Sequence, residues 1–321
     1  MTEIAYRQAV RDALHDEMEA DERVVLIGED VTHGGVFNVT PDLSGRFGEK
    51  RVIDTPISEL AFTAAAFGAA VRGLRPVVEI MFGDFLGLAL DALTNQASKY
   101  WYLSNEQSSV PLTVRSAVGA GGSFGPCHSQ TPTGWLMGEP GLKLVAPSTP
   151  ADAYALTRAA IQDPNPVVVF EHKALYARKG ELHGNGAATE LGRAEVRREG
   201  SDVTIVAALA MVERALEAAE TLGGDGIEAD VIDLRSLRPL DADAIGRSVA
   251  RTRHLVVVEE GPPQGGYAAE VVAAALEAAG PIAARRVTMP DLPIPFAPTL
   301  EKAALPDAGT VTAAVRALVG A

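Results

Sequence analysis

Two hydrophobic patterns alternate along this chain. Ile4, Val10, Leu14 and Met18 recur at helical spacing and mark a helix over residues 3–20. The short apolar run Val24–Ile27 behind it reads as a buried strand. The pairing then repeats. Strand Arg51–Ile53 runs into Pro56 and a long Ala-rich helix from Ser58 to Arg72, and strand Pro76–Ile80 precedes a helix over Phe85–Leu103. Strand Pro111–Arg115 leads into a glycine-rich loop, Gly119–Gly125. Strands Lys143–Ala146 and Val167–Glu171 bracket a helix that starts near Thr149. Continuous Val, Ile and Leu strands separated by helices predict a parallel sheet covered on both faces.

The stretch His172–Ser201 breaks this rhythm with five glycines and no sustained period. After it the alternation resumes: strands Val203–Ala207, Ala229–Leu234, Leu255–Glu259 and Arg286–Met289, with helices Met211–Leu222, Asp241–Arg251 and Gly265–Ala279 between them. Proline-rich Asp291–Pro298 reads as an irregular strap before a final helix. The predicted fold class is α/β, with two three-layer αβα domains and mainly parallel sheets. They span residues 1–180 and 195–321, with a linker over 181–194.

Composition narrows the options. With 47% hydrophobic and 22% charged residues, the 321-residue chain has the make-up of an ordinary globular protein. The longest largely apolar run, Leu60–Val71, stops at Arg72, well short of the ~20 residues of a membrane span. The start, MTEIAYRQAVRD, is charged throughout and lacks the apolar core of a secretion signal, so a cytoplasmic protein is expected. Cys127 alone excludes a disulfide scaffold. The net charge of −14 divides evenly: residues 1–200 hold 25 acids and 18 bases, residues 201–321 hold 17 and 10, and each part is at −7. No basic face is set apart for nucleic acid.

Residue chemistry leaves two stretches of interest. In Asp54-Thr55-Pro56-Ile57-Ser58-Glu59 a strand ends, proline stiffens the turn and Glu59 opens a helix, where the dipole alone already favours an acid. Gly125-Pro126-Cys127-His128-Ser129-Gln130 closes the glycine-rich loop and offers a histidine that structure alone could also employ. Both follow carboxyl ends of strands, where open α/β sheets bind ligands. No Gly-x-Ser-x-Gly elbow or zinc spacing occurs, and the glycine-rich loop lacks both the Walker lysine and a dinucleotide fingerprint.

Taken with Gly28-Glu29-Asp30-Val31, Gly34-Gly35-Val36-Phe37, Gly73-Leu74-Arg75-Pro76-Val77, Asp84-Phe85, Pro140-Gly141-Leu142-Lys143, Pro147-Ser148-Thr149-Pro150 and Asn165-Pro166-Val167, these stretches resemble one family along nearly the whole chain. It is the beta chain of the thiamine diphosphate-dependent decarboxylating component of 2-oxo acid dehydrogenases, whose pyruvate, branched-chain and acetoin members share the pattern. The resemblance implies a pyrimidine-binding domain over 1–180 and a transketolase C-terminal-like domain over 195–321. It implies that Glu59 shares a proton with the aminopyrimidine ring, that Phe85 stacks on that ring, that Ile57 borders it, and that His128 assists near the reacting centre. It further implies a structural potassium ion at Leu112, Ala160, Ile161, Asp163 and Asn165.

The diphosphate and magnesium belong, on this resemblance, to a separate alpha subunit in an alpha2beta2 heterotetramer. A lipoyl-bearing acyltransferase core would dock through its subunit-binding domain. Gly224-Asp225-Gly226 resembles the opening of the diphosphate motif, but the stretch where its Asn pair would fall, Arg251–Val257, has no Asn, and a turn is expected instead. Two positions depart from the family: Asp91-Ala92 where members carry Asp-Gln, and Thr131-Pro132-Thr133-Gly134-Trp135 after His-Ser-Gln. Glu171-His172-Lys173 with Leu175-Tyr176 leans toward the pyruvate and acetoin branch. The expected activity is oxidative decarboxylation of a 2-oxo acid, pyruvate favoured. The alternatives are an acetoin-cleaving or carboligating relative and a non-catalytic assembly or regulatory subunit.

Overall fold

Alternation of buried strands and amphipathic helices builds two units, seen in a computed structural model that describes residues 3–182 and 189–320. One unit comprises residues 1–118 and 138–191, the other 119–137 and 192–321. Of the predicted linker 181–194, residues 183–188 lie outside the described residues. Residues 119–137, inside the 1–180 stretch of the sequence reading, group with the second unit.

The first unit runs β1 (Glu3–Ala5), α1 (Tyr6–Ala20), β2 (Val24–Gly28), α2 (Leu43–Phe47), β3 (Val52–Asp54), α3 (Glu59–Val71) and β4 (Arg75–Ile80). It continues through α4 (Leu86–Leu90), a π-helical segment Asp91–Ala97, α5 (Ser98–Leu103) and β5 (Thr113–Val118). After α6 (Gly134–Met137), which belongs to the second unit, come β6 (Lys143–Val145), α7 (Pro150–Gln162), β7 (Val167–His172) and β8 (Lys179–Glu181). Within this unit the sheet order is β6-β7-β5-β4-β2-β3, every pair parallel. The strands are buried on both faces, as their continuous Val and Ile runs require. Helix α1 buries Tyr6, Val10, Leu14 and Met18, and Thr149 caps α7 by accepting the Asp152 N–H at 3.1 Å, with Pro150 in the first turn.

Two predicted helices need correction. Glu3–Ala5 is not helical; it pairs antiparallel with β8, a contact set by residues far along the chain. The helix predicted over 85–103 is interrupted by the π-helical segment, where Thr94 and Ser98 turn their hydroxyls back to the carbonyls of Leu90 and Thr94, both at 2.8 Å.

In the second unit β9 (Glu195–Arg198), β10 (Val203–Ala207), α8 (Met211–Gly224), β11 (Ala229–Asp233), α9 (Ala242–Thr252), β13 (His254–Glu259), α10 (Tyr267–Ala279) and β14 (Ala283–Thr288) form the α/β core, while the short strand β12 (Ser236–Arg238) lies outside its sheet. Its sheet, β14-β13-β10-β11-β9, is parallel except for edge strand β9. The predicted final helix is two, α11 (Pro298–Ala304) and α12 (Ala308–Val319), divided where Asp307 and Thr310 cap each other. The fold class is the one expected from the sequence: α/β, in two units, with mostly parallel sheets.

Candidate cofactor site

Strands β4, β2 and β3 lie side by side, and the turns after β3 and β4 carry the predicted positions. Glu29 follows β2, Ile57 and Glu59 follow β3, and Phe85 follows β4 on a single 3-10 turn, Gly83–Phe85. The exits of β2 and β3 are tied together. Thr55 donates its N–H to the Gly28 carbonyl at 3.0 Å, and the Asp54 carboxylate accepts the Thr32 N–H at 2.9 Å and the Thr32 hydroxyl.

Glu59 is the first residue of α3 and is only 5% exposed, yet its carboxylate has no hydrogen bond or ion pair among the described residues. Beside it stands a carboxylate to which sequence reasoning gave no role. Glu29 is 6% exposed and leaves Oε1 buried without a partner. Burial, and then the charge of Glu59, push the Glu29 carboxyl above its ordinary range. The signal was present in the sequence, an acid directly behind a buried strand, but its nearness to Glu59 depends on strand order. Ile57 is 85% exposed and Phe85 half-buried, so both present surface at this end of the sheet. A buried carboxylate and a half-exposed aromatic ring at the same end of one sheet suit a flat heterocycle whose ring nitrogen can share a proton with the acid.

His128 belongs to the second unit, half-buried, with its main-chain N–H donated to the Gly125 carbonyl at 3.3 Å. The structure thus gathers Ile57, Glu59 and Phe85 at one sheet end of the first unit and puts His128 in the other unit.

The predicted potassium positions surround the end of α7 and the start of β7. Arg75 donates to the carbonyls of Ile161 (2.8 Å) and Asp163 (3.4 Å), the Leu112 carbonyl accepts the Val167 N–H at 3.0 Å, and Lys143 pairs with the Asp163 carboxylate. Asn165 Oδ1 is buried and without a partner. Two cationic side chains therefore already serve this acceptor set, which fits a further cation poorly as it stands. Among the described residues no group of three or more His, Cys, Asp or Glu side chains could hold a metal ion.

Two glycine motifs also resolve. The amides of the loop after β5 are taken by the protein's own carboxylates: Glu260 accepts Ala120 N–H at 2.7 Å, and Glu301 accepts those of Gly121 at 3.0 Å and Ser123 at 3.1 Å. A phosphate would have to displace both acids. Gly224-Asp225-Gly226 is a turn at the end of α8, with Asp225 held by Arg316 at 2.9 Å.

A family profile described as transketolase, pyrimidine binding domain, matches residues 2–179, and one described as transketolase, C-terminal domain, matches 192–311. A beta subunit of acetoin:2,6-dichlorophenolindophenol oxidoreductase from Bacillus subtilis is 41% identical over 99% of this chain and 97% of its own length. The 2-oxoisovalerate dehydrogenase beta subunit of the same organism is 41% identical, covering 99% of each. The chain belongs to the beta subunits of the 2-oxo acid and acetoin dehydrogenases. A mitochondrial pyruvate dehydrogenase E1 beta subunit of Oryza sativa is also 41% identical, over 98% of this chain and 86% of that one. Among solved structures, one titled split gene transketolase, inactive beta4 tetramer, superposes with a TM-score of 0.83 at 26% identity, covering 99% of both chains. Membership in this beta-subunit family agrees with the family, cofactor class and fold expected from the motifs. Acetoin, pyruvate and 2-oxoisovalerate relatives stand at the same 41%, so overall identity does not rank substrates. No helix among the described residues is long and apolar enough to cross a membrane.

Proposed function

We propose that this chain supplies the pyrimidine-binding half of a thiamine diphosphate site in a decarboxylating 2-oxo acid dehydrogenase, pyruvate being the favoured substrate. The observation that carries the reading is Glu59: a buried carboxylate at a strand exit, with no protein partner among the described residues. Bound there, the cofactor supplies the carbanion chemistry of decarboxylation. The chain's own groups do the rest. Glu59 holds a proton against the pyrimidine ring nitrogen, Phe85 stacks on that ring, and the Ile57 backbone borders it. His128 serves proton or acyl transfer near the substrate.

The filled amides of Ala120, Gly121 and Ser123 and the Gly224–Gly226 turn support placing diphosphate and magnesium on an alpha subunit, in an alpha2beta2 assembly. The 17 acids against 10 bases of residues 201–321 support docking of the acyltransferase core's subunit-binding domain on the second unit. A cytoplasmic setting goes with this reading. Potassium at Leu112, Ala160, Ile161, Asp163 and Asn165 would share carbonyls with Arg75. A melting temperature raised by potassium but not sodium would support it, and equal melting would return those carbonyls to Arg75. Acetoin cleavage is the second reading, since an acetoin oxidoreductase subunit stands at the same 41% identity as the pyruvate relative. Co-expression with an alpha-type chain, then a panel of 2-oxo acids and acetoin, tests both. Release of carbon dioxide from pyruvate only in the mixed assembly is expected, and turnover by the beta-type chain alone would refute the reading.

A further inference from the structure

Phe85, half-buried, closes a single 3-10 turn that leads into α4. A chain of aromatic contacts reaches it. Phe82 meets Phe85 edge-on, centroids 5.8 Å apart at 77°, and Phe37 meets Phe82 edge-on at 5.4 Å and 79°. Phe37 also lies 5.4 Å from Tyr176, which meets Tyr6 at 6.0 Å. Edge-to-face geometry suits the ring quadrupoles and ties each ring's plane to the next.

The far end of this chain is anchored. Tyr176 donates its hydroxyl to Glu171 at 2.9 Å, Glu171 holds Arg115 through two bonds of 2.8 and 2.7 Å, and Arg115 also pairs with Glu79. These three charged residues stand on neighbouring strands β4, β5 and β7, all buried. Gly35 is the contact between this triad and the loop bearing Phe37. Its φ is +67°, and a Cβ there would come within 2.4 Å of Glu79 Oε1. A side chain at Gly35 would displace either the Glu79 carboxylate from its pairing with Arg115 or the loop, and Phe37 with it.

We propose that Phe37, laid down by Gly34-Gly35, is a positioning residue for the cofactor site: through Phe82 it fixes the plane in which Phe85 receives the pyrimidine ring. The inference rests on the reading of Phe85 given above, and the experiment separates the two. In the assembly co-expressed with an alpha-type chain, thiamine diphosphate affinity, kcat and KM are measured for Phe37→Leu, Phe85→Leu and the double variant, with melting temperatures alongside. Phe85→Leu should weaken cofactor binding by about 10-fold, and Phe37→Leu by about 3- to 10-fold with substrate KM nearly unmoved. The double variant should bind no more weakly than Phe85→Leu alone, because Phe37 acts through that ring. Multiplying effects would overturn the inference and make Phe37 ordinary packing, with Phe85 keeping its place. An inert Phe85→Leu would overturn the site reading and this inference with it. Should Phe37→Leu melt below the assay temperature, Phe37→Met, closer in volume, undergoes the same cycle, and the same two outcomes decide.

Discussion

At the scale of single residues, two carboxylates decide what the first sheet's edge can do. Replacing Glu59 by Gln removes a charge that has no partner and that repels Glu29, so melting should hold or rise slightly. If Glu59 shares a proton with a ring nitrogen, turnover of the assembled enzyme should fall by roughly 10²–10⁴-fold. Parallel turnover and melting measurements check this, and lowered melting with normal turnover would return Glu59 to a helix-opening role. Glu29 makes the opposite kind of forecast. Its carboxyl is raised in the folded state, so the native chain holds that proton more tightly than the unfolded one. Stability from this group is therefore present at low pH and is lost as pH rises through the folded value. Glu29→Gln should flatten that decline and stabilise the protein at neutral pH, as urea melts at about pH 5 and 7.5 would show. Glu59 was legible in the sequence because its motif is contiguous. Glu29's proximity was not, because it depends on β2 lying beside β3.

Elements built from continuous apolar runs were legible for a simple reason: a strand buried on both faces must be apolar at every position. Val203–Ala207 falls where its pattern put it. Strands β1 and β9 were not legible, since Glu3–Ala5 and Glu195–Arg198 are short edge pairings, the second mostly polar, whose partners lie far along the chain. The buried carboxylates of the second unit escaped for the same reason. Glu259 caps α10 by accepting the N–H groups of Tyr267 at 2.9 Å and Ala268 at 2.8 Å, while α6 presses against the turn before that helix. There a Cβ on Gly134 would sit 1.9 Å from the Gly265 carbonyl oxygen, whereas one on Gly138 meets nothing within 4 Å. Gly134→Ala should cost about 1–3 kcal/mol and Gly138→Ala little, read as denaturant midpoints at unchanged slope. Equal midpoints would mean the α6 contact gives way freely.

For the whole molecule, the acidic surplus of residues 201–321 makes the proposed docking on the second unit testable. Binding of the acyltransferase subunit-binding domain to the full assembly should weaken as salt rises from about 0.05 to 0.5 M, because screening shortens the reach of exposed charge. Calorimetry that finds affinity independent of salt would remove the electrostatic argument. The second unit's discontinuity has a consequence in time as well as in space. Residues 119–137 leave the ribosome long before the residues that hold them: the Ala120 amide waits 140 residues for Glu260, and the Gly121 amide 180 for Glu301. At ~5–20 residues per second, the glycine-rich loop spends on the order of ten seconds or more as a loose excursion from a half-made first unit. During that interval its free amides and the apolar ring of Trp135 are open to whatever the nascent chain meets. Helix α11, which carries Glu301 and is among the last elements translated, closes it.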